Sequence, residues 1–330
     1  MVSTPRKVAA FIITLLALFA LALIAVNTGS LQVTPDQLFR GLFVAFDEDV
    51  SVVYDLRFPR IIVAMVGGAA MAVSGVLLQA AIRNPLADPG IIGINAGASL
   101  VAVVVTAFFP ALLFFTPALA FAGGMLAFLI VYSLSWRGGL SPLRVILVGV
   151  AVGTMFSGLI AAFSSTGGAI SSTVASLVDA NITMKTWADV QTISLYTAVG
   201  LILALLAARR CDMLALEDKT ARSLGVEVNA SRMGVSAVAV LLASISTAII
   251  GPISFLGLIV PHIARILVGT SHRTLIAYSI VLGALFLLAA DTIGRTVAAP
   301  YEISAAVIMS IVGGPVFILL LRKARATYGE

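Results

Sequence analysis

The sequence predicts an all-α, polytopic membrane protein with about ten transmembrane helices and both termini cytoplasmic. Three observations carry that expectation. Only 11% of the 330 residues are charged, 60% are hydrophobic, and the mean hydropathy is +1.12, whereas ordinary soluble domains carry about 25% charged residues. Apolar runs long enough to cross ~30 Å of hydrocarbon recur along the chain. Of the 20 Lys and Arg residues, fifteen fall on one side of the resulting topology and five on the other.

The runs lie near 8–27, 59–81, 92–109, 117–135, 143–164, 191–208, 233–251, 254–268, 275–296 and 303–321. Each is bounded by charge, Pro or Gly, which resist burial in lipid or interrupt a helix. The first, Val8 to Val26, follows Arg6 and Lys7, and Ala20-Leu21-Ala22 resembles a cleavage site. Its apolar stretch of 19 residues exceeds the roughly 7–15 of a secretory signal and more spans follow, so it is expected to be retained as a helix. The eighth run follows Gly251-Pro252, contains Pro261 and His262, and is short for a full crossing. A broken or tilted helix is expected there.

An even number of spans returns the chain to its starting side. With the N-terminus inside, only Arg40, Arg57, Arg60, Lys185 and Arg295 fall outside, together with the acidic Asp47 to Asp49. Positively charged loops are retained in the cytoplasm. The formal net charge of +5 is thus a consequence of topology and leaves nucleic-acid binding nothing to explain. The lipid bilayer is the expected solvent of a single domain spanning 1–330. Gly149-xxx-Gly153-xxx-Ser157 and Gly93-xxx-Gly97 predict close helix packing, since small residues let backbones approach. Gly149, Gly153 and Ser157 are candidates for a surface facing a pathway or a second copy.

Catalytic chemistry has no candidate residues. A phosphate-cradling GxxxxGK[ST] loop needs Gly before its Lys, but the four lysines follow Arg6, Met184, Asp218 and Arg322. HExxH, CxxC and GxSxG are absent, and His262 and His272 stand ten apart with no carboxylate or Cys at ligand spacing. Cys211, the single cysteine, has no partner for a disulfide. No cofactor, metal or enzymatic activity is expected. A proton-coupled carrier, the alternative from a different class, would advertise ionisable groups in mid-membrane. Only Asp291 and Arg295 come near, and their i, i+4 spacing lets them pair with each other. The energy for transport is then expected from outside the chain.

One stretch breaks the apolar pattern. Residues 209–232 hold nine of the 35 Asp, Glu, Lys and Arg residues. Within them LALEDKTARSLGV predicts a short amphipathic helix: Leu216, Thr220 or Ala221, and Leu224 recur at helical spacing, Glu217 and Asp218 occupy its first turn, and Gly225 is placed to cap its end. Such a helix outside the membrane suits a groove on a partner, and a solvated loop has the same composition.

The stretches FPRIIVAMVGGAAMAVSGVLLQAAIRNPLADPGIIGINAGASL, LALEDKTARSLGV and GPISFLGLIVPHIARILVGTSHRTLI, followed by AADTIGRT and GGPVF, run in order along the chain. They resemble the FecCD-type permeases, the membrane subunits of bacterial ATP-binding-cassette (ABC) importers for iron-siderophores, haem and cobalamin. The resemblance implies a multi-pass protein of the bacterial cell membrane. Its implied partners are a second permease, identical or paralogous, two ABC ATPase subunits, and an extracytoplasmic substrate-binding protein or lipoprotein.

By the same resemblance, Leu216, Glu217, Asp218, Ala221, Arg222, Leu224 and Gly225 couple to the ATPase, although family members commonly have Gly at the Glu217 position. Arg57, Arg60 and Arg295 match positions that receive carboxylates from the binding protein, as exposed guanidinium groups can. Asn84, Leu86, Ser141 and Pro142 match the cytoplasmic gate, with Pro142 replacing a more usual hydroxyl residue. The outer stretch VASLVDANITMKTWADV keeps only Trp187 of the family pattern. Iron(III)-siderophore is the expected cargo, with haem or cobalamin as alternatives.

Overall fold

The computed structural model describes residues 3–29, 33–136, 141–165 and 182–328; of Pro35, Pro142 and residues 320–328 it describes the backbone only. The protein is all-helical, with no strand among these residues. Ten apolar helices follow the expected runs: α1 (Thr4–Asn27), α4 (Phe58–Ile82), α5 (Ile94–Phe108), α6 (Thr116–Ser135), α7 (Pro142–Ser164), α8 (Trp187–Leu214), α10 (Val228–Ile250), α11 (Leu256–Val268), α12 (His272–Val297) and α13 (Ala305–Tyr328). Seven of the apolar helical segments reach spanning length and three are shorter. The polar connections add α2 (Pro35–Phe43), α3 (Glu48–Val52) and α9 (Asp218–Ser223).

The helix α4 is the axis of the fold. In its most apolar stretch 83% of the residues are buried, against 17% for α1, so α4 is sheathed by protein while most of α1 lies exposed on the outside of the bundle. It packs against α8, α10, α11 and α12. These contacts work through small residues rather than large ones. A Cβ on Gly68 would lie 2.4 Å from the Gly283 carbonyl oxygen, and one on Gly75 only 1.9 Å from that of Gly257. Backbone contact of this kind gains dispersion energy where no hydrophobic effect separates helix from lipid. Hydroxyls complete the joints: Ser74 Oγ donates to Ala239 O at 2.7 Å and Ser246 Oγ to Gly67 O at 3.2 Å.

Two irregular connections enter the bundle. Arg83 ends α4 in the left-handed region (φ 54°). The turn after it is held by Leu86 N donating to Asn84 Oδ1 at 3.0 Å and Gly90 N donating to Asp88 Oδ1 at 2.8 Å. After α10 the chain turns at Gly251 (φ 84°) and Phe255 (φ 67°) before α11. With 13 residues at ~1.5 Å rise, α11 is about 20 Å long and cannot cross ~30 Å of hydrocarbon. The expected broken eighth span is therefore a helix of about two thirds the spanning length whose N-terminal turn is wrapped in protein.

Candidate functional site

At one end of the bundle, the last turn of α8, the helix α9 and the first turn of α10 form a polar platform. The helix α9 begins after Glu217, whose extended backbone (ψ 144°) delays the helix start, and ends in a left-handed Gly225 (φ 81°). Gly225 N donates to Arg222 O at 2.9 Å and Val226 N to Ala221 O at 3.1 Å, which closes the last turn as the sequence predicts. The expected apolar stripe is split. Ala221 is buried against the rest of the chain, while Leu216 and Leu224 stand 38% and 59% exposed, beside exposed Glu217 and Arg222.

Asp218 points the other way. Its carboxylate receives two bonds from Arg232, Nη2 to Oδ1 at 2.8 Å and Nη1 to Oδ2 at 3.1 Å, and a third from Arg83 Nη1 at 3.2 Å. Close by, Asp212 caps the start of α12, accepting from His272 N at 3.0 Å and facing its Nδ1 at 2.7 Å. A cavity of about 320 Å³ opens beneath, lined by Gln79, Arg83, Asn84, Arg265 and His272 among others. Arg265 Nη1 donates there to Gln79 Oε1. Asp218, Asp212 and Gln79 are the residues here whose partnerships sequence spacing could not reveal, since each pair joins distant segments.

Of the expected gate residues, Asn84 is buried and fixes the turn through Leu86 N, while Leu86 is half-buried. Ser141 begins α7, its carbonyl accepting from Val145 N at 3.0 Å; the side chain of Pro142 lies outside the described residues. No hydrogen bond among the described residues links Ser141 to the Asn84 turn. Gly149 requires correction. A Cβ on Gly149 would meet Ile91 O at 2.7 Å, and Gly93 Cα lies 3.5 Å from the Cβ position of Gly153. Gly149 is buried on the 91–93 turn of its own chain and does not face a pathway or a second copy, whereas Gly153 touches that turn and stays half-exposed. Ser157 is exposed and borders a cavity of about 310 Å³ with Asn95, Ser99 and Ser254.

The opposite end carries Arg57, Arg60 and Arg295. A π turn over Val53–Arg57, closed by Phe58 N on Val53 O, joins α3 to α4 and sets the direction of these arginines. The expectation of exposed guanidinium groups is corrected for two of them. Arg60 is 8% exposed, and its Nε and Nη2 meet Asp291 at 3.1 and 2.8 Å. Its Nη1 reaches Glu302 at 3.0 Å. The side chain of Arg295 is 7% exposed, 3.6 Å from Asp291, and donates to the Ala25 and Thr28 carbonyls at 3.0 and 3.3 Å. Arg57 is half-buried and donates to Val26 O. Arg295 and Arg57 thus satisfy carbonyls at the end of α1 that have no partner within the helix.

The i, i+4 pairing of Asp291 with Arg295 is present, but Arg60 is the shorter partner, and Glu302 completes a network that the sequence reading missed. The network lines a cavity of about 950 Å³ with Thr183 and Ser304. Of the divergent outer stretch, residues 174–181 lie outside the described residues, and Trp187 stacks 4.8 Å from Tyr54.

Burial pushes the Glu302 carboxyl up, but the positive charge of Arg60 and the bonds from Thr183 and Arg60 outweigh it and hold it below its ordinary value. A depressed carboxylate adds stability that is present above the unfolded-state value and is lost as pH falls through the folded one. The thermal midpoint of the purified protein is expected to drop on acidification below the ordinary Glu range, and E302Q is expected to flatten that part of the profile. An unchanged profile in E302Q would remove Glu302 from the network's energetics.

Among the described residues no group of three or more His, Cys, Asp or Glu could hold a metal ion. The chain matches the FecCD transport family over residues 15–323. It is 39% identical over 320 residues to the Probable heme-iron transport system permease protein IsdF of Staphylococcus aureus strain Newman, covering 97% of each chain. The protein of the same name from strain bovine RF122 / ET3-1 gives the same identity and coverage. Among solved structures, an inward-facing conformation of a metal-chelate type ABC transporter superposes with a TM-score of 0.79 at 26% identity, over 96% of this chain and 99% of that one. PsaBC from Streptococcus pneumoniae in complex with Fab shares the fold, with a TM-score of 0.58 at 16% identity over 87% and 95% of the two chains. Ten apolar helices among the described residues, one of them a buried axis, a polar helix set outside them and a family match along almost the whole sequence make one conclusion: the chain belongs to the FecCD transport family.

Proposed function

We propose that the chain is the permease subunit of an ATP-driven importer whose cargo is iron held in an organic chelate, with haem preferred over an iron-siderophore. The observation that carries the reading is α9 and its two ends: a polar helix outside an apolar bundle, flanked by solvent-exposed Leu216 and Leu224 beside exposed Glu217 and Arg222. Exposed leucines flanking a short polar helix suit a groove on an ATPase, and the chain has no phosphate-cradling loop of its own. In this reading the α9 end and both termini are cytoplasmic in a bacterial cell membrane, two copies or two related permeases pair, and two ATPases sit beneath them.

A substrate-binding protein or lipoprotein docks on the opposite end. Arg57 keeps a half-exposed guanidinium for that contact, whereas Arg60 and Arg295 serve it by fixing α1, α12 and the loop before α13. Asn84, Leu86 and Ser141 form the cytoplasmic closure. Haem is favoured over a siderophore by the relatives, named as heme-iron permeases at 39% identity over nearly the whole chain.

The test is uptake into vesicles holding the chain alone, or the chain with its ATPase, with haem or an iron-siderophore presented on the binding protein. Haem accumulation only with the ATPase and ATP is expected. Accumulation by the chain alone would end the importer reading, and uptake of the siderophore but not haem would end the cargo assignment. In the assembled system, L216D with L224D is expected to abolish ATPase retention while leaving the permease folded, read by co-purification.

A further inference from the structure

Asp218, by sequence a contact for the ATPase, has its carboxylate turned into its own chain. It is held by Arg232 through two bonds of 2.8 and 3.1 Å and by Arg83 through one of 3.2 Å. Arg232 lies in the first turns of α10 with its side chain only 7% exposed. Arg83 is the left-handed residue that ends α4. The next residue is Asn84, buried, whose side chain shapes the turn to Leu86. One carboxylate at the start of α9 therefore grips both the axial helix of the fold and the helix that follows α9. Beyond this clasp, α9 packs mainly against its chain neighbours α8 and α10.

We propose that Asp218 is a positioning residue, and that its link to Arg83 carries displacement of α9 directly to the end of α4 and the Asn84–Leu86 turn. This rests on the reading of α9 as the ATPase-docking helix and adds to it a route from motor to closure. The Arg83–Asp218 pair is 36% exposed on both sides, and pairs so placed contribute little to stability. Its geometry is a better guide to its role than its strength. Three features suit a strut. The guanidinium is anchored at a fixed helix end. The carboxylate is fixed at its other edge by the forked Arg232 bonds, which a planar donor makes direction-specific. The connection between closure turn and clasp is a single peptide unit.

The experiment measures haem moved per ATP hydrolysed in vesicles containing the assembled permease, ATPase and haem-loaded binding protein. R83Q removes the charge at the strut and leaves the Asp218–Arg232 pair in place. Its haem-per-ATP ratio is expected to fall about tenfold, with uptake falling more than ATP turnover, and R83K is expected to recover most of the loss. A ratio in R83Q within about twofold of wild type overturns the strut. So does a loss of ATPase retention in R83Q, which would make Arg83 part of the docking contact. Should R83Q not fold, D218N breaks the same link from the α9 side, and a wild-type ratio in it overturns the strut equally. If the wild-type chain retains no ATPase at all, the docking reading itself has failed, a result distinct from any of these.

Discussion

Gly75→Ala is expected to destabilise the folded chain by about 3 kcal/mol or more, at the upper end of what overpacking costs. The added methyl would lie 1.9 Å from the Gly257 carbonyl oxygen and 2.5 Å from its carbonyl carbon. Both are backbone atoms, and no rotamer change can move them. Separating α4 from α11 would also pull Gln79 Nε2 from Gly257 O, a bond of 3.2 Å. Gly158→Ala and Gly314→Ala are the controls, because a Cβ at either position meets nothing within 4 Å. These are expected to be neutral or to stabilise by up to ~1 kcal/mol through helix propensity. The thermal midpoint of monodisperse protein in detergent checks all three. A wild-type midpoint in G75A would mean the two backbones are not in contact.

Asp291→Ala is expected to cost about 3–5 kcal/mol, the range for removing one partner of a buried ion pair. The Asp291 side chain is 3% exposed and that of Arg60 10%. Without Asp291, among the described residues Arg60 keeps only Glu302, and Arg295 keeps only the Ala25 and Thr28 carbonyls. The double substitution R60M/D291L removes the stranded charge and is expected to cost less than the sum of R60M and D291L, by about 1–3 kcal/mol of coupling. Additivity would show that the pair contributes no mutual stabilisation. The same cycle bears on mechanism. If Asp291 relayed protons, D291L would abolish uptake in every background, whereas a structural carboxylate allows R60M/D291L to recover both folding and transport.

The span pattern was legible because lipid imposes a length and an apolar composition on each helix, and both are local properties of the chain. The runs near 8–27 and 275–296 match α1 and α12 within a few residues, and Gly225 caps α9 where its lack of a Cβ allows a positive φ. The short α11 was likewise foreshadowed by Gly251-Pro252 and a short apolar run. The candidate sites were legible only in part. Arg57, Arg60 and Arg295 could be placed at one end of the bundle, but the partners that bury Arg60 lie 231 and 242 residues away. Gly149 and Gly153 announced close packing correctly. A spacing of four cannot say what approaches, and here it is the Ile91–Gly93 turn of the same chain.

By itself the sequence determined that this chain lives in a bilayer, how many times apolar helices recur, and where a polar helix stands apart from them. Those properties follow from transfer free energies and backbone preferences summed over neighbouring residues. Only the tertiary structure decided that α4 is the buried axis, that Arg60 is consumed by Asp291 and Glu302, and that Asp218 turns inward to Arg83 and Arg232. A charged side chain fixes its cost and its role by what neutralises it within a few ångströms, and helix packing brings those partners from segments far apart in sequence.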